Sequence, residues 1–420
     1  MRTATTKGVL GMGALRRKAR ALGGLALLTL GSVLAAVWVE GPSDPDRLAS
    51  GARLAVKDRQ WSRADALLTR LARRRPPTTD DRVLRAELEL GRGRPDQAIS
   101  LLTAIPETDP LAARARLLAG QIEKSRDRAR RMEALFRDAL RLDPKLALAR
   151  RELIVLYSMQ ARRAEVQAQY RALAELEPLN YEDVFLWTNS FENLWINNAI
   201  QPHLQRYLAA DPDDRISRLA LAEVFVRYHQ LEESEALLRG LPDSDPDVRV
   251  VRARIALGRL RLDEARSILA EGPAGHLGLA LLRGHFAVRG HDPATAARQF
   301  RIALRQDPTN LEALEELSTV LRQLGDQQAA ASVQHQVQRW RHLRTLLQKA
   351  TTFHLRTDKT LLTQLGETCE DLGQRPEARA WYQLALAQDP LDPAVQKSLY
   401  RLRDRAPAES PVGPGRERDR

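Results

Sequence analysis

Residues 359–390 read KTLLTQLGETCEDLGQRPEARAWYQLALAQDP, and this stretch decides the fold. Leu362, Leu365 and Cys369 recur at helical spacing, with Gly366 as a small contact position among them. Gly373-Gln374-Arg375 interrupts the pattern as a turn. Ala378, Tyr382 and Ala385 then form a second stripe, and Pro390 ends it. The spacing predicts two antiparallel amphipathic helices. The small residues let them approach closely, and the bulky ones fill the space between neighbouring units.

The same unit recurs along the chain. Pro76, Pro110, Pro144, Pro178, Pro212 and Pro246 are evenly spaced, and Asp109, Asp143, Asp211 and Asp245 precede four of them. Proline cannot continue a helix and pushes the residue before it towards extended geometry. A helix must therefore end, and the chain turn, once per period.

This pattern resembles the tetratricopeptide repeat, a helix–turn–helix family whose period equals the proline spacing here. Residues 113–146 carry Gly120, Phe136, Ala139 and Pro144 at the family's marker positions; residues 277–310 carry Gly284, Ala296, Phe300, Ala303 and Pro308. Segments 45–78, 79–112 and 311–344 follow with Ala52 and Ala64, Ala86 and Ala98, and Ser318 and Ala330. Other units depart from it. Ile154 and Val166, then Thr188 and Ile200, replace the small residues in 147–180 and 181–214, and Ser234 does so in 215–248. The step from Pro246 to Pro308 falls short of two full periods, which predicts an irregular unit near 249–276. Residues 343–358 are extra and predict a lengthened helix followed by a loop. The resemblance implies an all-α, right-handed α-solenoid of about ten repeats over 45–392, closed by a capping helix at 393–404 and followed by a disordered tail at 405–420.

Composition agrees. The chain has 420 residues, 43% hydrophobic and 29% charged but only 5% aromatic, which suits helices and argues against a β-sandwich or barrel. The net charge is +12. Residues 1–20 hold six bases and no acid, and the tail four bases and three acids, which leaves +5 for the body. That is a mixed surface rather than a nucleic-acid footprint, so nucleic acid is not an expected partner. Arginine supplies 58 of the 66 bases, a bias that points to a GC-rich bacterial genome.

Residues 21–39, ALGGLALLTLGSVLAAVWV, carry no charge. As a helix this segment nearly spans a bilayer core of roughly 30 Å. Arg16, Arg17, Lys18 and Arg20 precede it, while Glu40, Asp44 and Asp46 follow it. The positive-inside rule then predicts a single-pass bacterial membrane anchor with a basic cytoplasmic terminus at 1–20. Residues 40–44 form a linker, and the array lies in the periplasm. The small residues Ala35 and Ala36 leave a cleaved signal peptide open as the alternative.

No catalytic motif and no metal-ligand spacing is present, and repeats, anchor and tail account for nearly the whole length. The expectation is a non-enzyme without metal or cofactor. Cys369 falls on a packing position and reads as a buried structural thiol.

In the resembled family, first-helix residues line a concave groove that holds peptides. The corresponding positions here are Gln121, Lys124, Arg151, Asn189, Glu192, Asn193, Glu223 and Arg227. Residues 181–200, YEDVFLWTNSFENLWINNAI, gather five aromatics and four asparagines in a chain otherwise poor in aromatics. One reading makes this a ligand-contacting unit; the other makes the aromatics core replacements for the missing small residues. A carboxylate clamp of the kind known in the family is not expected. Asn189 matches one of its positions, but Phe185, Val155 and Glu223 stand where its Lys and Arg would be. The function so implied is a membrane-anchored scaffold for protein or peptide partners at the cell envelope. The alternative is an export or envelope-biogenesis component that takes a polysaccharide or an unfolded client.

Overall fold

The computed structural model describes residues 44–191 and 199–404. They form 21 α-helices and one short 3-10 turn, Phe353–Leu355, and among the described residues there is no strand. The chain divides at Asp109/Pro110 into two packing units. The predicted terminus 1–20, apolar segment 21–39, linker up to residue 43 and tail 405–420 lie outside the described residues. Among the described residues, no helix is long and apolar enough to cross a membrane.

The first unit holds two helix pairs, α1 (Pro45–Lys57) with α2 (Trp61–Arg74) and α3 (Thr79–Gly91) with α4 (Pro95–Thr103). Its core is Leu48, Ala52, Ala64, Leu68, Leu71, Leu84 and Leu88. The capping box between Thr78 and Asp81 starts α3 by satisfying backbone N–H groups that have no helical partner.

Among the described residues the second unit holds seven packed helix pairs. The first two are α5 (Ala112–Ser125) with α6 (Ala129–Leu142) and α7 (Ala147–Met159) with α8 (Arg163–Ala174). Between the second and third pairs lie the helices α9 (Tyr181–Asn189) and α10 (Gln201–Ala210), which pack mainly on other elements rather than on each other. The third pair is α11 (Arg215–Arg227) with α12 (Leu231–Leu238). After these come α13 (Pro246–Gly258) with α14 (Leu262–Ala270), α15 (Leu277–Arg289) with α16 (Pro293–Gln306), α17 (Leu311–Gln323) with α18 (Gln327–Ala350), and α19 (Lys359–Asp371) with α20 (Arg375–Gln388). A last helix, α21 (Pro393–Asp404), packs on α20 and buries Val395.

One contact explains the pairing. A Cβ on Gly120 would lie 2.4 Å from the Phe136 ring, one on Gly284 2.5 Å from Phe300, and one on Gly366 2.6 Å from Tyr382. In three separate pairs, therefore, an aromatic of the second helix lies against a glycine of the first. Phe136, Phe300 and Tyr382 are all fully buried.

The turn inside nine packed pairs is equally regular. Arg59, Gly93, Asp127 and Ala161 all have positive φ and stand one full period apart; His229, Leu260, His291, Gly325 and Gly373 follow at the same place in later pairs. At Arg59 the next amide, Gln60 N–H, returns to the Ala55 carbonyl at 2.8 Å, and at Ala161 Arg162 N–H returns to Tyr157. This closure requires a left-handed residue. Six of the nine are not glycine, so the turn geometry is held against its local steric cost.

The interval from Pro246 to Pro308 resolves differently from the sequence expectation of one distorted unit. The first helices α11, α13, α15 and α17 begin at Arg215, Pro246, Leu277 and Leu311. The first two of these steps are equal and short, and the third returns to the full period. The shortening is thus shared evenly by two repeats. The loss falls on the second helices, since α12 has eight residues and α14 nine. Pro246 also changes role. The earlier prolines precede the next first helix, whereas Pro246 is the first residue of α13, where its missing N–H costs nothing.

Substituting Gly120 or Gly284 with Ala should destabilise the second unit by about 1–3 kcal/mol through overpacking. Combining Gly120→Ala with Phe136→Leu should recover part of that loss. Urea denaturation followed by circular dichroism measures both.

Candidate functional site

Some first helices stack directly on the next one, α1 on α3, α11 on α13 and α13 on α15. Long polar side chains at corresponding positions then meet about one repeat apart. Lys124 Nζ donates to Glu152 Oε2 at 2.6 Å, and Gln121 Nε2 to the other oxygen of Glu152 at 3.4 Å. Arg151 bridges Asp183 and Glu177, each at 2.7 Å. Arg215 forks onto Asp245 and also bonds Asp247 at 2.7 Å. Arg254 pairs with Glu223. His276 Nε2 lies 3.1 Å from Asp247, and His285 Nε2 3.4 Å from Glu312.

Four of the eight sequence-derived positions fall on a ladder of charges between successive repeats. Gln121, Lys124, Arg151 and Glu223 each have a partner one repeat away. Arg227 ends α11 and lines a cavity of about 430 Å³ with Glu312, Trp340 and Arg344. Asn189 ends α9 and is half-buried. Glu192 and Asn193 lie outside the described residues.

Of the residues that surround the largest of the described cavities, sequence reading named Glu223 and missed the others. This cavity has a volume of about 510 Å³ and opens between the α7–α8 turn, α11, α13 and the start of α15. Its floor is apolar: Ile216, Leu219, Ala220, Val250 and Val251. Its rim is charged, with Arg162, Arg215 and Arg254 against Glu165, Glu223 and Asp247. The His276 hydrogen bond, followed by the Arg215 bond and charge, holds the Asp247 carboxyl at about 2 against the opposing push of burial. The rim pairs compensate one another, so the cavity presents an apolar surface framed by fixed dipoles rather than a net charge. The shortened repeats hid Val250, Val251 and Arg254, which fall in the stretch read as irregular; the lining residues of the α7–α8 turn and α11 lie ahead of the shortening.

The described aromatics Tyr181, Trp187 and Phe191 of the stretch 181–200 pack within the protein, and Trp195 lies outside the described residues. Trp187 is fully buried and stacks on Tyr170 with ring centroids 6.0 Å apart. Phe191 is buried against Trp340 at 5.3 Å. Tyr181 meets Trp381 edge-on at 5.8 Å. Cys369 is fully buried, and desolvation raises its thiol well above the usual range, with the Glu377 charge adding to the effect. Among the described residues no group of His, Cys, Asp or Glu could hold a metal ion.

These features define a helical-repeat protein with a polar-rimmed face along its first helices. Residues 83–147 and 281–337 match the model of the tetratricopeptide repeat family, and the match supports that family for these two segments. No curated protein matches the chain. Among solved structures, a tetratricopeptide repeat protein from Parabacteroides merdae is 16% identical, with a TM-score of 0.29, over 58% of this chain and 98% of that one. The APC/C hetero-tetramer Cut9–Hcn1 gives 15% identity and a TM-score of 0.34 over 90% and 94%. The C-terminal part of a repeat protein from Cytophaga hutchinsonii gives 11% and 0.29 over 64% and 99%.

Asp247 contributes stability that is fully present above its ordinary value of 3.8 and is lost as the pH falls towards about 2. Asp247→Asn should therefore flatten the acid limb of the stability profile in that window. Urea midpoints of both proteins across it provide the check.

Proposed function

We propose that this chain is a non-enzymatic scaffold, anchored in a bacterial membrane by residues 21–39, that recruits protein partners at the cell envelope through the face of its first helices. The observation that carries the reading is the cavity on α11, α13 and α15, where an apolar floor meets a rim of paired charges. Such a surface suits a peptide, which brings apolar side chains for the floor and backbone amides for the rim. Tetratricopeptide repeats generally mediate protein–protein interaction, and the two matched segments support this class of function. The uncharged segment after four basic residues supports the anchor and the periplasmic side.

The polysaccharide reading rested on aromatics and asparagines in 181–200. Tyr181, Trp187 and Phe191 are engaged in ring contacts within the protein, so among the described residues that reading has no structural observation in its favour.

Crosslinked purification of the full-length protein from detergent-solubilised membranes, followed by mass spectrometry, should yield a short list of envelope proteins. Reversing the Glu223–Arg254 pair one side at a time (Glu223→Lys or Arg254→Glu) should deplete that list at least tenfold, and the double reversal should restore part of it. A list unchanged by either single reversal would move binding off this face. In intact spheroplasts, added protease should degrade the array; an untouched array would overturn the periplasmic placement.

A further inference from the structure

Helix α9 packs chiefly on second helices. Its packing partners are α8, α18 and α20, the last of these far away in sequence. Trp381 Nε1–H donates to Thr188 Oγ1 at 2.9 Å, and both groups are fully buried. Tyr181 O–H donates to the Ala350 carbonyl at 2.5 Å. Arg163 reaches Asp307 at 3.0 Å, Arg356 reaches Glu182 at 2.9 Å, and Arg379 reaches Glu175 at 3.6 Å. The middle of the second unit is thereby bonded to its last repeats.

One member of this seam is poorly satisfied. Glu377 on α20 is fully buried, and neither carboxylate oxygen has a hydrogen-bond partner among the described residues. Its ion-pair partner is Arg171 of α8, 3.6 Å away across the seam and half exposed. The backbone N–H of Glu377 also favours the ionised form, but the neighbouring side chains supply no second cation. From α8, Glu175 is taken by Arg379. From α19, Cys369 adds only a buried thiol, and Glu370 is bonded to Arg401 of α21. From α9, Tyr181 is committed to the Ala350 carbonyl. An ionised carboxylate so placed opposes closure, whereas a neutral carboxyl tolerates it.

We propose that α8 and α9 with α18 and α20 form a reversible latch that closes the last repeats onto the middle of the array, released when the Glu377 carboxyl loses its proton. The inference is independent of what the array binds. Burial raises the Glu377 carboxyl above its ordinary value of 4.5, with Arg171 opposing. The closed seam therefore holds the proton more tightly than an open one. Closure is firmest at low pH and weakens as pH rises from 4.5 through the raised value.

Spin labels at the exposed positions Lys145 and Lys397, introduced as Lys145→Cys and Lys397→Cys in the full chain in detergent, report the separation across the seam. Cys369 is buried and stays unlabelled. The measurement compares about pH 5 with about pH 9, a span that brackets buried carboxyls. The unsubstituted seam should give one separation at low pH and a second, longer one at high pH, with helicity unchanged. Glu377→Gln should keep the short separation at both. Tyr181→Phe with Thr188→Val should show the longer one at both. A single separation at both pH values in the unsubstituted seam overturns the proposal. The same pH response in Glu377→Gln overturns it as well, because the switch would then belong to another group.

Discussion

The array depends on how closely two antiparallel helices can approach. Where Phe136 lies on Gly120, or Phe300 on Gly284, the ring occupies the space a Cβ would take. A pair made this way has one apolar flank left over on each side, and only another pair can cover it. Repetition is therefore forced by the contact within each pair. A left-handed turn residue then fixes the spacing, and it recurs at the same place even where it is Asp127, Ala161 or His229.

Function is layered on this geometry without disturbing it. Successive first helices bring residues one repeat apart to within bonding distance, so Lys124–Glu152, Arg215–Asp247 and Glu223–Arg254 become rungs of one ladder. Half-exposed pairs of this kind add little stability. Their consequence is a face whose charges are fixed in direction and mutually compensated, with apolar floor between the rungs. The two shortened repeats place the largest of the described cavities there, because shorter second helices change how α11, α13 and α15 follow one another.

Where small residues are missing, the packing changes in kind. Thr188 cannot accept a ring as Gly120 does, and α9 packs instead on α18 and α20. The aromatics Tyr181, Trp187 and Phe191 serve that seam. Glu377 sits within it as a carboxyl that burial favours in its neutral form, so a junction built on buried rings also contains a poorly solvated acid.

The proline ruler and the Leu362/Leu365/Cys369 spacing made helix pairs legible from sequence alone, because helix periodicity and proline sterics are local properties. The ladder was half legible: Gln121, Lys124, Arg151 and Glu223 were readable as first-helix positions, but their partners were not. Pairing between successive repeats depends on the rise of one helix pair over the next. The shortening was visible in the interval from Pro246 to Pro308, yet its even division was not, since Pro246 kept the ruler while changing its role. The seam was invisible. Trp381 and Thr188 are 193 residues apart, and no pattern in either neighbourhood encodes the curvature that brings them together. That curvature is the sum of small angles between successive pairs, which only the packed structure adds up.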